Sequence, residues 1–124
     1  MNTIVYFEIQ SSNPEREAEF YRTIFNWKIE KDEAMPIKYY RIETDGICGA
    51  ILSRPAPVAP MSGTNAFTCS LQVSDFEETA KNILSNGGAV ALPKFAVSKK
   101  CWQGYFLDPD QNVFGIFEVD ENAD

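Results

Sequence analysis

The sequence contains no histidine, and this absence narrows the available chemistry. Histidine is the commonest acid–base side chain near neutral pH and the commonest nitrogen ligand of metal ions in proteins. Mechanisms that depend on a Ser-His-Asp triad, on a Cys-His pair or on a histidine-bound metal are therefore excluded.

Cysteine and long apolar runs are also scarce. The three cysteines (Cys48, Cys69 and Cys101) are an odd number without a C-x-x-C spacing, so they indicate neither a disulfide framework nor a zinc ribbon. No apolar run approaches the roughly 20 residues that cross a bilayer, and the N-terminal segment lacks the pattern of a signal peptide. We therefore expect a cytoplasmic protein without a membrane partner.

Positive charge is in deficit. Eleven Lys and Arg stand against eighteen Asp and Glu, which gives a net charge of -7. Such a charge repels phosphate backbones and anionic lipid surfaces, so we do not expect nucleic acid as a partner. The 124 residues are 44% hydrophobic and 13% aromatic, which is enough apolar material for one folded domain.

The order of predicted elements repeats within the chain. Each half reads as strand, helix and three strands, with helix starts at Asn13-Pro14 and Ser74-Asp75 and a helix stop at Gly87-Gly88. We expect an α+β fold with module one at about 3–54, a proline-rich connector at 55–64, module two at about 65–119 and a fraying acidic tail at 120–124. The predicted first strands of the two modules span 4–9 and 66–73, and the second strand of module two spans 89–93.

Two local motifs point to a known family. Phe20 to Trp27 reads F-Y-x-x-x-F-x-W, and Asp108 to Asn112 reads D-P-D-x-N. Together with the repeat, they resemble the vicinal-oxygen-chelate superfamily, which contains glyoxalase I, extradiol dioxygenases, fosfomycin-resistance enzymes and bleomycin-binding proteins. The resemblance implies two tandem βαβββ modules that form a curved, cup-shaped mixed sheet with helices on the outside, and it implies a homodimer.

The metal ligands of that superfamily are missing from this chain. The resemblance places the two first-strand ligands, usually His, at Tyr6 and Thr68. It places the final-strand Glu at Gly115 and the fourth ligand within Gly49 to Ile51, where no carboxylate occurs. Because a divalent ion needs several strong donors around one point, we predict a member of the superfamily without metal or other cofactor.

The predicted cup supplies the candidate site residues. Period-2 alternation groups Glu8 with Tyr6 and Ser70 with Thr68, and Phe117 falls beside Gly115. Trp102, at the start of a strand, is expected to roof the cup. The candidate substrate-binding set is therefore Tyr6, Glu8, Thr68, Ser70, Trp102 and Phe117.

The roles of the two first-strand polar residues stay open at this level. Glu8, a carboxylate beside aromatic residues, is a candidate general base; alternatively, it pairs with an arginine such as Arg41 or Arg54, or it sits near solvent. Tyr6 either donates a hydrogen bond to a ligand carbonyl or has its hydroxyl satisfied locally.

Three functions are compatible with these features. The first is a metal-independent protein that binds a small molecule, such as an aromatic ligand, in its cup. The second is a metal-free isomerase or lyase of the same fold that uses Glu8 or Tyr6 for proton transfer. The third is a regulatory or stress-related module that binds a protein partner.

Overall fold

The computed structural model describes residues 2–54 and 67–124. The predicted connector at 55–64 and the start of the predicted strand at Ala66 lie outside the described residues. The chain divides into two compact units, Met1–Ala59 and Pro60–Asp124, and each unit is described by itself below.

The first unit contains one helix and a four-stranded mixed sheet. The sheet has the order β1-β4-β3-β2, with β1 parallel to β4 and the other neighbours antiparallel. Its elements are β1 (Phe7–Ser11), α1 (Pro14–Phe25), β2 (Lys28–Lys31), β3 (Tyr39–Glu43) and β4 (Gly49–Ser53).

Helix α1 begins and ends where its sequence predicts. The Asn13 side chain accepts a hydrogen bond from the Arg16 backbone N–H at 3.2 Å, Pro14 occupies the first helical position, and Asn26 ends the helix with φ of 56°. Such caps satisfy backbone groups that have no partner inside the helix. The helix buries Phe20 and Tyr21 against the sheet.

The second unit repeats the order and topology of the first. Its sheet has the order β5-β8-β7-β6, with β5 parallel to β8 and the remaining pairs antiparallel. Its elements are β5 (Ser70–Gln72), α2 (Phe76–Ser85), β6 (Ala89–Val97), β7 (Cys101–Leu107) and β8 (Val113–Val119). The prediction of an α+β fold built from two βαβββ units is confirmed.

Helix α2 is fixed at its start by two carboxylates. Asp75 accepts a hydrogen bond from the Glu78 backbone N–H, and Glu118 of β8 accepts one from the Phe76 backbone N–H at 2.7 Å. Negative charge at a helix N-terminus complements the helix dipole. Because Glu118 lies on a strand, this contact also ties the helix to its sheet.

The D-P-D-x-N motif forms the turn between β7 and β8. Asp108 is only 2% exposed, and one of its oxygens accepts the backbone N–H groups of Asp110 and Asn112. Its other oxygen accepts the Asn112 side-chain amide at 3.0 Å. A buried carboxylate with this many donors holds the turn rigidly.

The acidic C-terminal segment is pinned and does not fray as expected. Lys99 donates its backbone N–H to the Ala123 carbonyl at 2.7 Å, and Asp120 donates to the Lys100 carbonyl at 3.0 Å. Ala123 is completely buried. The expectation was based on terminal position alone, which says nothing about backbone pairing with an earlier turn.

Three predicted strand bounds were wrong. The first strand is Phe7–Ser11 instead of 4–9, the first strand of the second unit is only Ser70–Gln72, and β6 continues to Val97 through Pro93. Pairing with a neighbouring strand decides where a strand ends, and a single segment does not contain that information. Among the described residues, neither helix combines the length and apolar character needed to span a bilayer.

Candidate functional site

The two faces of the first sheet differ in what they contact. On β1, the Phe7 ring meets the Trp27 ring edge-on at 5.8 Å, and Trp27 in turn stacks on Tyr21 of α1 at 5.4 Å. Phe7 therefore points toward the helix. Because side chains alternate along a strand, Glu8 points to the opposite, helix-free face.

Four residues form a hydrogen-bonded group on this helix-free face. The Tyr39 hydroxyl donates to Oε2 of Glu8 at 2.9 Å, and the hydroxyls of Tyr6 and Tyr39 lie 2.9 Å apart. Nη1 of Arg41 donates to the Tyr6 hydroxyl at 3.4 Å. We call Tyr6, Glu8, Tyr39 and Arg41 the Tyr–Glu cluster.

Strand register explains why these residues meet. Ala50 of β4 lies between Glu8 on β1 and Arg41 on β3, because it pairs with both. Tyr39 pairs with Leu52 of the same strand. The cluster therefore depends on three strands that are adjacent in the sheet, and the residues that bond to each other are more than thirty positions apart in sequence.

Tyr39 is the buried member of the cluster. It is 6% exposed and packs with Ala50, Leu52 and Met35. Burial raises the pKa of the Tyr39 hydroxyl above its usual range, and the hydrogen bonds with Tyr6 and Glu8 raise it further. Tyr39 therefore stays protonated and keeps its hydrogen bond to Glu8.

Arg41 is held by charge and by an aromatic ring. Its Nε donates to Asp32 at 2.8 Å, and its guanidinium lies 5.2 Å from the centre of the Tyr39 ring. The backbone N–H of Ala34 lowers the pKa of Asp32 most, and the hydrogen bond from Arg41 lowers it further. Arg41 therefore carries a charge that a neighbouring carboxylate already balances.

A polar cleft of about 220 Å³ continues the cluster toward β2. Its walls carry alternating charges, with Lys28 close to both Glu30 and Glu43. Seven residues line it: Lys28, Glu30, Lys31, Asp32, Glu33, Arg41 and Glu43.

The second unit also brings two predicted residues together. Ser70 pairs with Gly115 and receives a hydrogen bond at 3.4 Å from Nε2 of Gln103. Phe117 pairs with Gln103, so it lies on the same face as Ser70. Tyr105, which pairs with Gly115, belongs to this face as well.

Two other predicted residues belong to this unit. Thr68 lies before the start of β5 and is exposed. Trp102 alternates with Gln103 and lies on the helix side of the sheet, where its Nε1 donates to Asp120 at 3.0 Å and Lys94 lies 4.7 Å from its ring. The expectation that Trp102 roofs the site is wrong, because the register of β7 with β8 turns it to the other face.

The residues at the expected metal-ligand positions do not fit a divalent ion. The Tyr6 hydroxyl is used in hydrogen bonds. Gly115 has no donor side chain, and a Cβ added there would contact the Ser70 Oγ and lie 2.7 Å from Nε2 of Gln103. In residues 2–54 and 67–124, no three or more Cys, Asp or Glu side chains are grouped as metal ligands.

Sequence reasoning missed Tyr39 and Gln103. A signal was present for Tyr39, because Tyr40 and Ile42 alternate as the apolar side of one strand, which places Tyr39 and Arg41 on its other side. No comparable signal marked Gln103, whose importance depends on its pairing with Phe117 on β8.

Comparison with known proteins gives a consistent family. The family model described as the Glyoxalase/Bleomycin resistance protein/Dioxygenase superfamily matches residues 3–116. Among curated proteins, none matches the chain significantly.

Solved structures share the fold at low sequence identity. A glyoxalase/bleomycin resistance protein/dioxygenase family enzyme from Burkholderia phytofirmans PsJN has a TM-score of 0.75 and 16% identity, covering 93% of this chain and 97% of that one. The fosfomycin resistance protein FosX from Listeria monocytogenes has a TM-score of 0.73 and 14% identity, covering 94% and 90%. TnmS3, an antibiotic binding protein from Streptomyces sp. CB03234, has a TM-score of 0.67 and 19% identity, covering 97% and 98%.

Proposed function

Because the chain belongs to the Glyoxalase/Bleomycin resistance protein/Dioxygenase superfamily, we propose that it binds a small organic molecule without a metal ion. The ligand lies against a helix-free sheet face. The Tyr–Glu cluster carries this proposal, because it places a connected set of polar groups on a sheet face that no helix covers.

The second sheet, taken by itself, also carries aromatic side chains on its helix-free face. On this face, the rings of Phe95 and Tyr105 stack with their centres 6.3 Å apart. Phe117 of β8 lies opposite Gln103 of the neighbouring strand β7. Phe95 is 37% exposed. Aromatic walls combined with a few placed polar groups are the usual composition of small-molecule sites, which supports an aromatic ligand.

Two structural relatives are consistent with this proposal. FosX is described as a fosfomycin resistance protein and TnmS3 as an antibiotic binding protein. Because one fold supports different functions through its site residues, these likenesses support a small-molecule ligand without specifying it.

The proposal can be tested by titrating the protein with a library of small aromatic fragments and following its NMR signals. We expect shifts at Glu8, Tyr39, Ser70 and Phe117, and little change at Ile42 on the helix side of the first sheet. Shifts confined to helix-side residues would contradict the proposal.

A pair of variants tests the role of the cluster in binding. Tyr6→Phe should weaken a bound fragment by roughly 1 kcal/mol, because it removes the hydroxyl that joins Arg41 to Tyr39 and leaves the Tyr39 hydroxyl without one hydrogen-bond donor. Tyr40→Phe is the matched control, since Tyr40 is buried on the helix side and its hydroxyl makes no hydrogen bond with the described residues. Equal affinities for the two variants would contradict a role for the cluster.

The second candidate function is metal-free proton transfer by Glu8. This carboxylate is exposed, and among the described residues only its Oε2 is hydrogen-bonded, so its second oxygen can take a proton from a substrate. Glu8→Gln keeps the shape and removes the base. A compound that the native protein converts and Glu8→Gln only binds would establish the enzyme.

Several other predictions remain untested. They are the cytoplasmic location, the homodimer, the regulatory module as a third function, and the convergence of residues from both modules on one cup.

A further inference from the structure

The direction of each hydrogen bond in the Tyr–Glu cluster can be derived from the chemistry of its members. A carboxylate accepts hydrogen bonds, so the single proton of the Tyr39 hydroxyl goes to Glu8 at 2.9 Å. The bond between the two tyrosine hydroxyls must then use the proton of Tyr6. Because arginine can only donate hydrogen bonds, Arg41 donates one to the Tyr6 oxygen.

The three donors Arg41, Tyr6 and Tyr39 therefore point their hydrogen bonds in one direction, toward Glu8. Neither tyrosine has a proton left for a ligand. Among Tyr6, Tyr39 and Glu8, the groups that still offer hydrogen bonds are acceptors, above all the Oε1 oxygen of Glu8, which makes no hydrogen bond with the described residues. Arg41 keeps N–H groups that these bonds do not use, but its charge is already balanced by Asp32. A ligand carbonyl or carboxylate finds no tyrosine donor here.

The balance of charge on this face also favours a ligand group that donates hydrogen bonds. Asp32 neutralises Arg41 at 2.8 Å, and Lys28 lies within 3.8 Å of both Glu30 and Glu43. Glu8 has a hydroxyl partner but no ion pair with a described residue within 4.0 Å. An incoming cation would thus meet an unbalanced carboxylate, and an incoming anion would meet an arginine whose charge is already compensated.

We infer that the ligand group meeting the Tyr–Glu cluster is a hydrogen-bond donor, with a protonated amine favoured over a neutral hydroxyl and a carboxylate disfavoured. This inference rests on the proposed binding function, whose ligand class it narrows. It also assigns Tyr39 as a positioning residue, because Tyr39 accepts a hydrogen bond from Tyr6 and donates one to Glu8.

Three fragments with the same aromatic ring test the inference. Benzylamine offers an ammonium group, benzyl alcohol a hydroxyl and benzoate only acceptors. We expect the native protein to bind benzylamine at least tenfold more tightly than benzoate, with benzyl alcohol between them. NMR titration measures the affinities and shows whether the shifts include Tyr6 and Tyr39.

Two charge-matched variants separate a specific contact from the general negative charge of the protein. Glu8→Gln should reduce the preference for benzylamine over benzoate to less than threefold. Glu19→Gln removes the same charge from an exposed carboxylate of α1 that is paired with Arg22, and it should leave the preference unchanged.

Other results would overturn the inference alone or the proposed function with it. If benzoate binds as tightly as benzylamine, or if the two variants lose the preference equally, the inference is overturned while the binding function stands. If none of the three fragments binds to the helix-free faces, both the inference and the proposed function are contradicted.

Discussion

Replacing Tyr39 with phenylalanine removes one oxygen and two hydrogen bonds from the Tyr–Glu cluster. The hydroxyl contacts Glu8 and Tyr6, each at 2.9 Å, while the ring packs with Ala50 and Leu52. Because the ring is retained, the variant leaves no large cavity. The change in the free energy of unfolding therefore reports the hydrogen bonds.

The expected cost follows from the exposure of the two partners. A hydrogen bond to a neutral group contributes about 1 kcal/mol and one to a charged group about 1.5–3 kcal/mol. Glu8 is exposed and Tyr6 is 39% exposed, so both partners recover hydrogen bonds from water. We expect a loss of about 1–2 kcal/mol, or about 4 °C in Tm for each kcal/mol in a chain of this size.

The pH dependence of the free energy of unfolding provides a second, independent test. Burial raises the pKa of Tyr39 in the folded protein, so above about pH 10 the unfolded chain releases a proton that the folded protein retains. The unfolded state then binds fewer protons, and the free energy of unfolding falls as pH rises. Tyr39→Phe should remove this part of the slope.

Urea unfolding between pH 7 and 11 measures both effects. Tyr40→Phe is again the matched control, and it should cost less than about 1 kcal/mol because that hydroxyl makes no hydrogen bond with a described residue. The reasoning is refuted if the two variants are equally stable at pH 7, or if the stability of Tyr39→Phe falls above pH 10 as steeply as that of the native protein.

Three further predictions concern the fold and the absence of a metal. Gly49→Ala should destabilise the protein by about 2–3 kcal/mol in urea unfolding, since its Cβ would overlap the backbone of β1. Gly46→Ala, whose Cβ would meet nothing closer than 3.8 Å, should change stability by less than about 0.5 kcal/mol. Trp102→Phe removes a hydrogen bond that helps to lower the pKa of Asp120, so NMR titration should show a higher Asp120 pKa and faster amide exchange at Ala123. Chelator should leave Tm unchanged, and a chelator-dependent fall in Tm would contradict the metal-independent proposal.

Local features of the fold could be predicted from the sequence. The cap at Asn13 and the turn at Asp108 to Asn112 depend on side chains that bond to backbone groups only two to four residues away. The helices and the repeated element order follow from such local signals and from apolar periodicity.

Features that depend on strand pairing could not be predicted in the same way. The first strand lies further along the chain than expected, because Phe7 to Ser11 pair with Gly49 to Ser53. Trp102 was assigned to the wrong face because one strand does not show which of its sides the helix covers. None of the alternatives considered for Glu8 included the Tyr39 hydroxyl that it contacts, since that contact depends on the register of three strands.

Strand β6 has a consequence for how the protein meets other molecules. It is last in the order of its sheet, and its register with β7 shifts on both sides of Leu92. Pro93, which has no backbone N–H, lies next to Leu92. A foreign strand aligned along β6 would find a missing donor and an irregular backbone, which are devices that discourage edge-to-edge aggregation. These features disfavour a homodimer formed by strand pairing along β6.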